Sequence, residues 1–206
     1  MNYDNFLSLF TFKDDLSELP ISQPCANGDF IIATNGRIGI KAPKAKCLSG
    51  YEVIAKYPDL QRCFDQQLES NEIDRTIAIG KLRELFNKFK RVPKYEACNQ
   101  CEGTGRCICS DCDTEHDCGY CSKGHTDEII GDEIDSNEHF VLGAATVLAK
   151  TFEPVYLVCD SLNSDLKIAA NSAEHGTVIY CADVAMIVMP VTSGSQSCFE
   201  KIEFDN

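Results

Sequence analysis

Two cysteine pairs constrain this chain more than anything else in it. Cys98-x2-Cys101 is followed, after sixteen intervening residues, by Cys118-x2-Cys121. A C-x-x-C turn lets two sulfurs face one point, and two such turns brought together by a hairpin complete a tetrahedron. The segment has almost no apolar residues with which to bury free thiols. A disulfide scaffold belongs to short, core-poor, exported chains, whereas this one has 206 residues and 44% hydrophobic content. The spacing therefore predicts a four-sulfur zinc site. Seven of the thirteen cysteines fall between Cys98 and Cys121. The inner group, Cys107, Cys109, Cys112 and His116, has the composition of a second site of three sulfurs and one nitrogen, or else stands as spectators in a short hairpin. The scattered cysteines (Cys25, Cys47, Cys63, Cys159, Cys181, Cys198) sit mostly among apolar neighbours and read as small buried hydrophobes in a reducing compartment.

The sequence on either side of the module is periodic. Residues 1–24 read as a helix-poor or short-helix start ending in Pro20 and Pro24. Phe30–Ala33 and Arg37–Lys41 read as strands joined at Asn35-Gly36, a hairpin signal that rests on positive φ at the central residues. Pro43 ends the second strand. Residues 44–75 show no clear period, and Val53–Phe64 reads as a short helix interrupted at Pro58. Ile77–Arg91 is the clearest helix, with Leu82, Leu85, Phe86 and Phe89 on one stripe, closed by Pro93. Residues 126–138 carry six carboxylates and no base, as a solvated linker or a hairpin returning to the main domain. Residues 139–153 read as a second helix, with Leu142, Ala145, Ala149 and Phe152 on one side. Four strands follow: Val155–Cys159, Leu166–Ala170, Thr177–Cys181 and Val184–Met189. The expected architecture is α+β, a sheet with two helices in a main domain made of residues 1–97 and 126–206, with residues 98–125 as an inserted zinc-binding hairpin module.

Charge is distributed unevenly. The net charge is −13, which argues against indiscriminate nucleic-acid binding over the whole surface. Yet Lys81, Arg83, Lys88, Lys90 and Arg91, with Lys94 beyond, crowd the predicted helix, opposed only by Glu84. The module is acidic instead: Glu102, Asp111, Asp113, Glu115 and Asp117 stand against Arg106 and Lys123, and four thiolates on one Zn²⁺ add negative charge. It reads as a stabilising or protein-contacting element. No apolar run is long enough to span a bilayer, and the N-terminus lacks a signal-peptide pattern, so the expectation is a cytoplasmic protein with no membrane partner. No phosphate loop, nucleophile elbow or H-E-x-x-H helix is present, and His139 and His175 have no partner pattern. The chain is therefore expected not to be an enzyme.

Two resemblances sharpen this reading. Cys98-Asn-Gln-Cys101-Glu-Gly103-Thr-Gly105 is C-x-x-C-x-G-x-G, and Cys118-Gly-Tyr-Cys121-Ser-Lys-Gly124 is a partial copy. The segment resembles the cysteine-rich domain of DnaJ-type chaperones, where the glycines point backbone amides at the sulfurs. With one and a half of that family's four repeats and no J-domain signature, the resemblance implies zinc and not chaperone activity. Ala33-Thr-Asn-Gly-Arg-Ile-Gly-Ile40 resembles the A-T-D-G-x-R-L turn of DNA polymerase sliding clamps, with Asn35 in place of the aspartate and one residue fewer before Arg37. Asp183-Val-Ala-Met-Ile-Val-Met-Pro-Val191 is similar to the last strand of bacterial clamps. With the cysteine insertion, the layout looks like small clamp-related proteins of phage and prophage type. The resemblance implies a clamp-like sheet in a DNA-replication accessory protein, with double-stranded DNA met by the basic helix, a replication protein as partner and assembly of several copies. Two other functions stay open: an interaction module docking another protein through its zinc hairpin, and a metal-dependent enzyme using the inner Cys/His group.

Overall fold

The computed structural model describes residues 2–11, 20–101, 103–108, 114–174, 176–191 and 200–202. Cys109, Cys112, Cys198, His175, Glu102, Asp111 and Asp113 lie outside the described residues. In chain order the elements are α1 (Asp4–Ser8), β1 (Cys25–Asn27), β2 (Phe30–Thr34), β3 (Ile38–Pro43), α2 (Leu60–Asn71), β4 (Glu72–Ile77), α3 (Ile79–Lys88), β5 (Arg91–Ala97), β6 (Arg106–Ile108), β7 (Glu115–Asp117), β8 (His125–Ile134), β9 (His139–Leu142), β10 (Ala145–Leu148), α4 (Ala149–Leu162), β11 (Leu166–Ser172), β12 (Gly176–Cys181), β13 (Val184–Val188) and β14 (Glu200–Ile202). The chain divides into two compact units, Met1–Lys88 with Ser136–Asn206, and Phe89–Asp135. The second is wider than the expected 98–125 insertion, because it includes the strands that lead into and out of the cysteines.

The first unit is α+β. Its main sheet has seven strands in the order β1-β2-β3-β13-β12-β11-β4, all antiparallel. Both faces are buried, which explains the continuous apolar runs. Along β13, Met186 and Val188 alternate with Ile187, and all three are buried. One face packs Ile32, Val178 and Ile187 against Leu60 and Phe64 of α2. On the other, α4 packs on β12 and β13, and α3 packs on α4. Phe86 of α3 stacks on Tyr156 at 4.2 Å between ring centroids, and Phe140 meets Phe152 edge-on at 5.2 Å. Such aromatic pairs add to the area they bury.

The Asn35-Gly36 hairpin forms, but with positive φ at Gly36 alone, at +85°. Asn35 instead accepts hydrogen bonds at Oδ1 from the backbone N–H groups of Arg37 and Ile38, at 2.9 and 3.0 Å. This is the Asx turn that asparagine favours.

Several expected elements are corrected. There are four α-helices among the described residues rather than two. The helix expected over Ile77–Arg91 is shorter: Ile77 is still strand β4, and the helix ends at Lys88. Pro93 does not cap it but lies within β5, opposite Asp132. Residues 139–148 are not helix. They form the β9–β10 hairpin, in which Leu142 pairs with Ala145 and Gly143 takes φ +59°. The expected strand Val155–Cys159 lies inside α4. Its buried positions Phe152, Val155, Val158 and Cys159 recur every three to four residues, the helical period. Between residues 44 and 75, α2 begins just after Pro58 and runs on through Phe64 rather than breaking there. No helix among the described residues is long and apolar enough to cross a membrane.

Candidate metal centre

The second unit is a two-stranded antiparallel ribbon, β5 with β8, and a shorter hairpin, β6 with β7. The two C-x-x-C turns lie where the ribbon ends and the short hairpin begins and returns. They face each other through crossed backbone bonds. The Cys98 N–H donates to the Gly124 carbonyl at 2.8 Å, and the Cys118 N–H donates to the Gly105 carbonyl at 2.8 Å. Each turn thus closes on the glycine that follows the other. Both glycines need their special backbone, with φ +76° at Gly105 and +92° at Gly124. A Cβ on Gly124 would lie 2.0 Å from the Gly103 carbonyl oxygen.

This packing brings the ligand atoms of Cys98, Cys101, Cys118 and Cys121 within 4.8 Å of one another. Cys98 Sγ lies 3.9 Å from Cys118 Sγ, and Cys101 Sγ lies 3.6 Å from Cys121 Sγ. A tetrahedron of sulfurs around an ion at about 2.3 Å has edges of about 3.8 Å. The spacing fits four ligands on one ion and is far from the ~2.05 Å of a disulfide bond. Cys98, Cys101 and Cys118 are buried and Cys121 is half-buried, so the four thiolates fill the small interior of the unit themselves.

The electrostatics of the thiol set favour a cation among the sulfurs. Burial opposes ionisation at both Cys101 and Cys121. At Cys101 the Gly105 N–H, 3.2 Å from Sγ, and the neighbouring thiols outweigh burial and bring it down to about 7. Cys121 is pushed up to about 12 by burial and by its sulfur neighbours. Cys101 and Cys121 move in opposite directions because adjacent thiolates repel one another unless a positive ion lies between them.

Of the inner Cys/His group, the described residues include Cys107 and His116. Cys107 and His116 face each other across β6 and β7. Cys107 is half-buried and packs against the four-cysteine cluster. His116 is exposed, its Nδ1 3.1 Å from the Asp117 carbonyl oxygen. Cys109 and Cys112 lie outside the described residues, and among the described residues only the outer four cysteines form a ligand set. The sequence reading missed the ties that stiffen the turns. Thr104 Oγ1 donates to the Cys101 carbonyl at 2.6 Å, and Arg106 pairs with Glu115 across the short hairpin at 2.7 Å. Thr104 between the two glycines was the available signal, since a hydroxyl there can close a local turn.

The five basic residues expected to meet DNA do not share one helix. Lys81, Arg83 and Lys88 are on α3 in the first unit, whereas Lys90 follows the helix and Arg91 opens β5, both in the second. Lys81 and Lys88 are exposed, on the side away from buried Leu82, Leu85 and Phe86. Arg83 is held by Asp160 and by Asn163 Oδ1 at 2.9 Å, and Lys90 by Asp135 at 2.9 Å.

The first unit also has an open cleft of about 370 Å³, bordered by Phe30, Lys41, Gln61, Phe64 and Tyr180. Lys41 Nζ lies 4.1 Å from the Phe30 ring centroid and donates to Gln61 Oε1 at 2.6 Å. No family model, curated protein or solved structure matches this chain.

Proposed function

We propose that the chain is a non-catalytic accessory protein with two parts, a clamp-like sheet that associates with duplex DNA and a structural zinc module. The observation that carries the metal half is the four-sulfur geometry. Soft thiolate donors in a tetrahedron suit zinc, and four protein ligands leave no open position for substrate, which argues for structure over catalysis. Metal analysis of purified protein should give about one zinc per chain with the thiols unoxidised. A value well below one overturns it.

The DNA half is supported by the pairing of β3 with β13. The two stretches that resemble clamp sequences lie side by side in the centre of the sheet, with Met186 opposite Ile40 and the Met189 N–H donating to the Arg37 carbonyl at 2.9 Å. Among the five bases, Lys81, Lys88, Lys90 and Arg91 are exposed. Anisotropy with a labelled 30-base-pair duplex tests this on the assembled protein. Affinity should be independent of sequence and fall with salt at a log–log slope near −0.9 per phosphate contact. Reversing Lys88 and Arg91 to Glu should weaken it at least tenfold. Absence of association in every assembly state, or indifference to the reversal, overturns the DNA reading.

A second reading, docking of another protein through the zinc hairpin, is favoured by exposure at the module. Ile108 and Tyr120 are 73% and 80% exposed. A partner that stays bound after nuclease treatment, and is lost on Ile108→Ser with Tyr120→Ser, supports it; a partner lost with the DNA does not.

A further inference from the structure

The ribbon that carries the metal module is itself unusual. Of the large apolar side chains exposed in the protein, Tyr95, Ile129 and Ile130 lie on β5 and β8, at 43%, 58% and 53% exposure. Tyr95 and Ile129 stand directly opposite each other in the ladder, so they share one face. Ile130 falls at the irregularity beside them, where the register shifts between Lys94 and Tyr95. Exposed apolar residues are ordinary when scattered; grouped on a two-stranded ribbon they mark a contact surface. Along β8 the charge has one sign, whereas β5 carries Arg91 and Lys94 beside Glu96. β8 carries Asp127, Glu128, Asp132 and Glu133 and no Lys or Arg, and the whole unit has eleven acidic side chains against five basic.

The ladder is also incomplete. Among the described residues β8 pairs with no strand but β5, and beyond the Ser122–His125 bridge at its start no described strand lies on its outer edge. β5 contains Pro93, which lacks an N–H and weakens its own outer edge as a template. β8 has no proline in ten residues. An open edge is a site for strand addition. Its carboxylates decide what can add. A second copy of β8 would set like charges side by side, which is destabilising across strands, and nucleic acid is repelled by the same charges. An extended segment bearing basic residues would instead pair with them.

We propose that β8 is a docking edge for a basic, extended segment of a partner protein, in which Lys or Arg alternates with apolar residues that cover Tyr95 and Ile129. The inference rests on the docking reading and not on the DNA reading, and it moves the contact from the zinc hairpin to the ribbon. The added strand gains backbone hydrogen bonds along β8, and its two side-chain sets meet carboxylates and the apolar pair in turn.

The test uses the full, metal-loaded chain without DNA. The probes are labelled eight-residue peptides with blocked ends: alternating Lys-Val, alternating Lys-Ser, alternating Glu-Val, and Lys-Val with alternate backbone nitrogens methylated. Anisotropy should show Lys-Val binding at least tenfold tighter than Lys-Ser and no binding of Glu-Val. Methylation along one edge should reduce Lys-Val to the Lys-Ser level, as should Tyr95→Ser with Ile129→Ser in protein that keeps its metal. Equal binding of Lys-Val and Lys-Ser, indifference to methylation, or no binding of Lys-Val overturns the proposal. The peptide arms need no protein variant, so a variant that misfolds leaves them decisive. Loss of a partner on Ile108→Ser with Tyr120→Ser, alongside failure of Lys-Val to bind, would leave docking intact and place it on the zinc hairpin instead.

Discussion

The two units reach order by opposite means. The first buries Phe10, Phe140, Phe152, Leu7, Ile31 and Ile40 completely and covers its sheet on both faces. The second buries few large apolar side chains, and most of its interior is sulfur: Cys98, Cys101 and Cys118, with Cys107 and Cys121 half-buried beside them. A two-stranded ribbon is marginal in water by itself. Coordination of an ion by the four cysteines, as proposed, would do for the second unit what removal of apolar surface does for the first. The difference teaches that, with a metal bound, one chain would hold two stabilities with separate controls, each open to change alone.

The largest separation should come from the ligands. Cys98→Ser or Cys118→Ser, or chelation of the native protein, should remove the metal and abolish amide protection across residues 98–125. The cooperative melt of the sheet should move by no more than about 1 °C, below the roughly 2–4 °C that 1 kcal/mol produces in a unit of this size. Simultaneous loss of the sheet, read by hydrogen exchange, would break the comparison. Replacing residues 98–125 with a Gly/Ser linker should leave the same melt in place.

Phe152→Ala tests the other side. Phe152 is fully buried and meets both Phe86 and Phe140. Truncation should cost the first unit about 3–5 kcal/mol, measured by urea titration, while the thiolate absorption of cobalt-substituted protein is unchanged.

Gly124→Ala asks how far the metal depends on its frame. The new Cβ would collide with the Gly103 carbonyl in a left-handed backbone. It would also disturb the Cys98 N–H bond to Gly124. Metal affinity should fall roughly 10–100-fold, the usual cost of disturbing groups that orient ligands, as read by competition with a chromophoric chelator.

The smallest effect belongs to the first unit's surface. Asp183 accepts Tyr3 Oη–H at 2.7 Å and pairs with Lys46 at 2.7 Å. Burial alone would raise its carboxyl, but these hydrogen bonds outweigh it and hold it below the ordinary 3.8. Its contribution is complete above that value and lost as pH falls through the lower folded value. Asp183→Asn should cost at most about 1 kcal/mol near neutrality, and the difference from wild type should vanish in acid.

The C-x-x-C spacing and the Asn35-Gly36 turn were legible because each depends on residues next to one another in the chain. So were β11, β12 and β13, whose apolar runs match strands buried on both faces. The segment 139–162 was not, since a period-two hairpin abuts a helix and both are apolar. Phe140, Leu142, Ala145 and Val147 alternate across the turn, and α4 then takes up the longer period without a polar cap at Leu148. α2 was obscured by its polarity: Leu60, Phe64 and Leu68 are its apolar stripe, spaced by four. β4 reads Glu-Ile-Asp-Arg-Thr-Ile and is strand only because β11 offers it an edge. Propensity cannot reveal a partner that is ninety residues away. Arg83 looked like a phosphate ligand because Asp160 is as distant in sequence as it is close in space.

The pairing of β3 with β13 has a consequence for how the chain is made. Ile40 waits for Met186, and at about 5–20 residues per second a ribosome needs on the order of ten seconds to deliver it. Through that interval the N-terminal hairpin has one flank without its neighbour. The cysteine turns, by contrast, are complete within a few dozen residues of one another and can capture an ion as soon as they emerge. The late, non-local closure is the slow kind of folding step. Synthesis therefore finishes the insertion before the sheet that surrounds it in sequence, and β13, the last strand of the seven-stranded sheet to leave the ribosome, is the one that seals its centre.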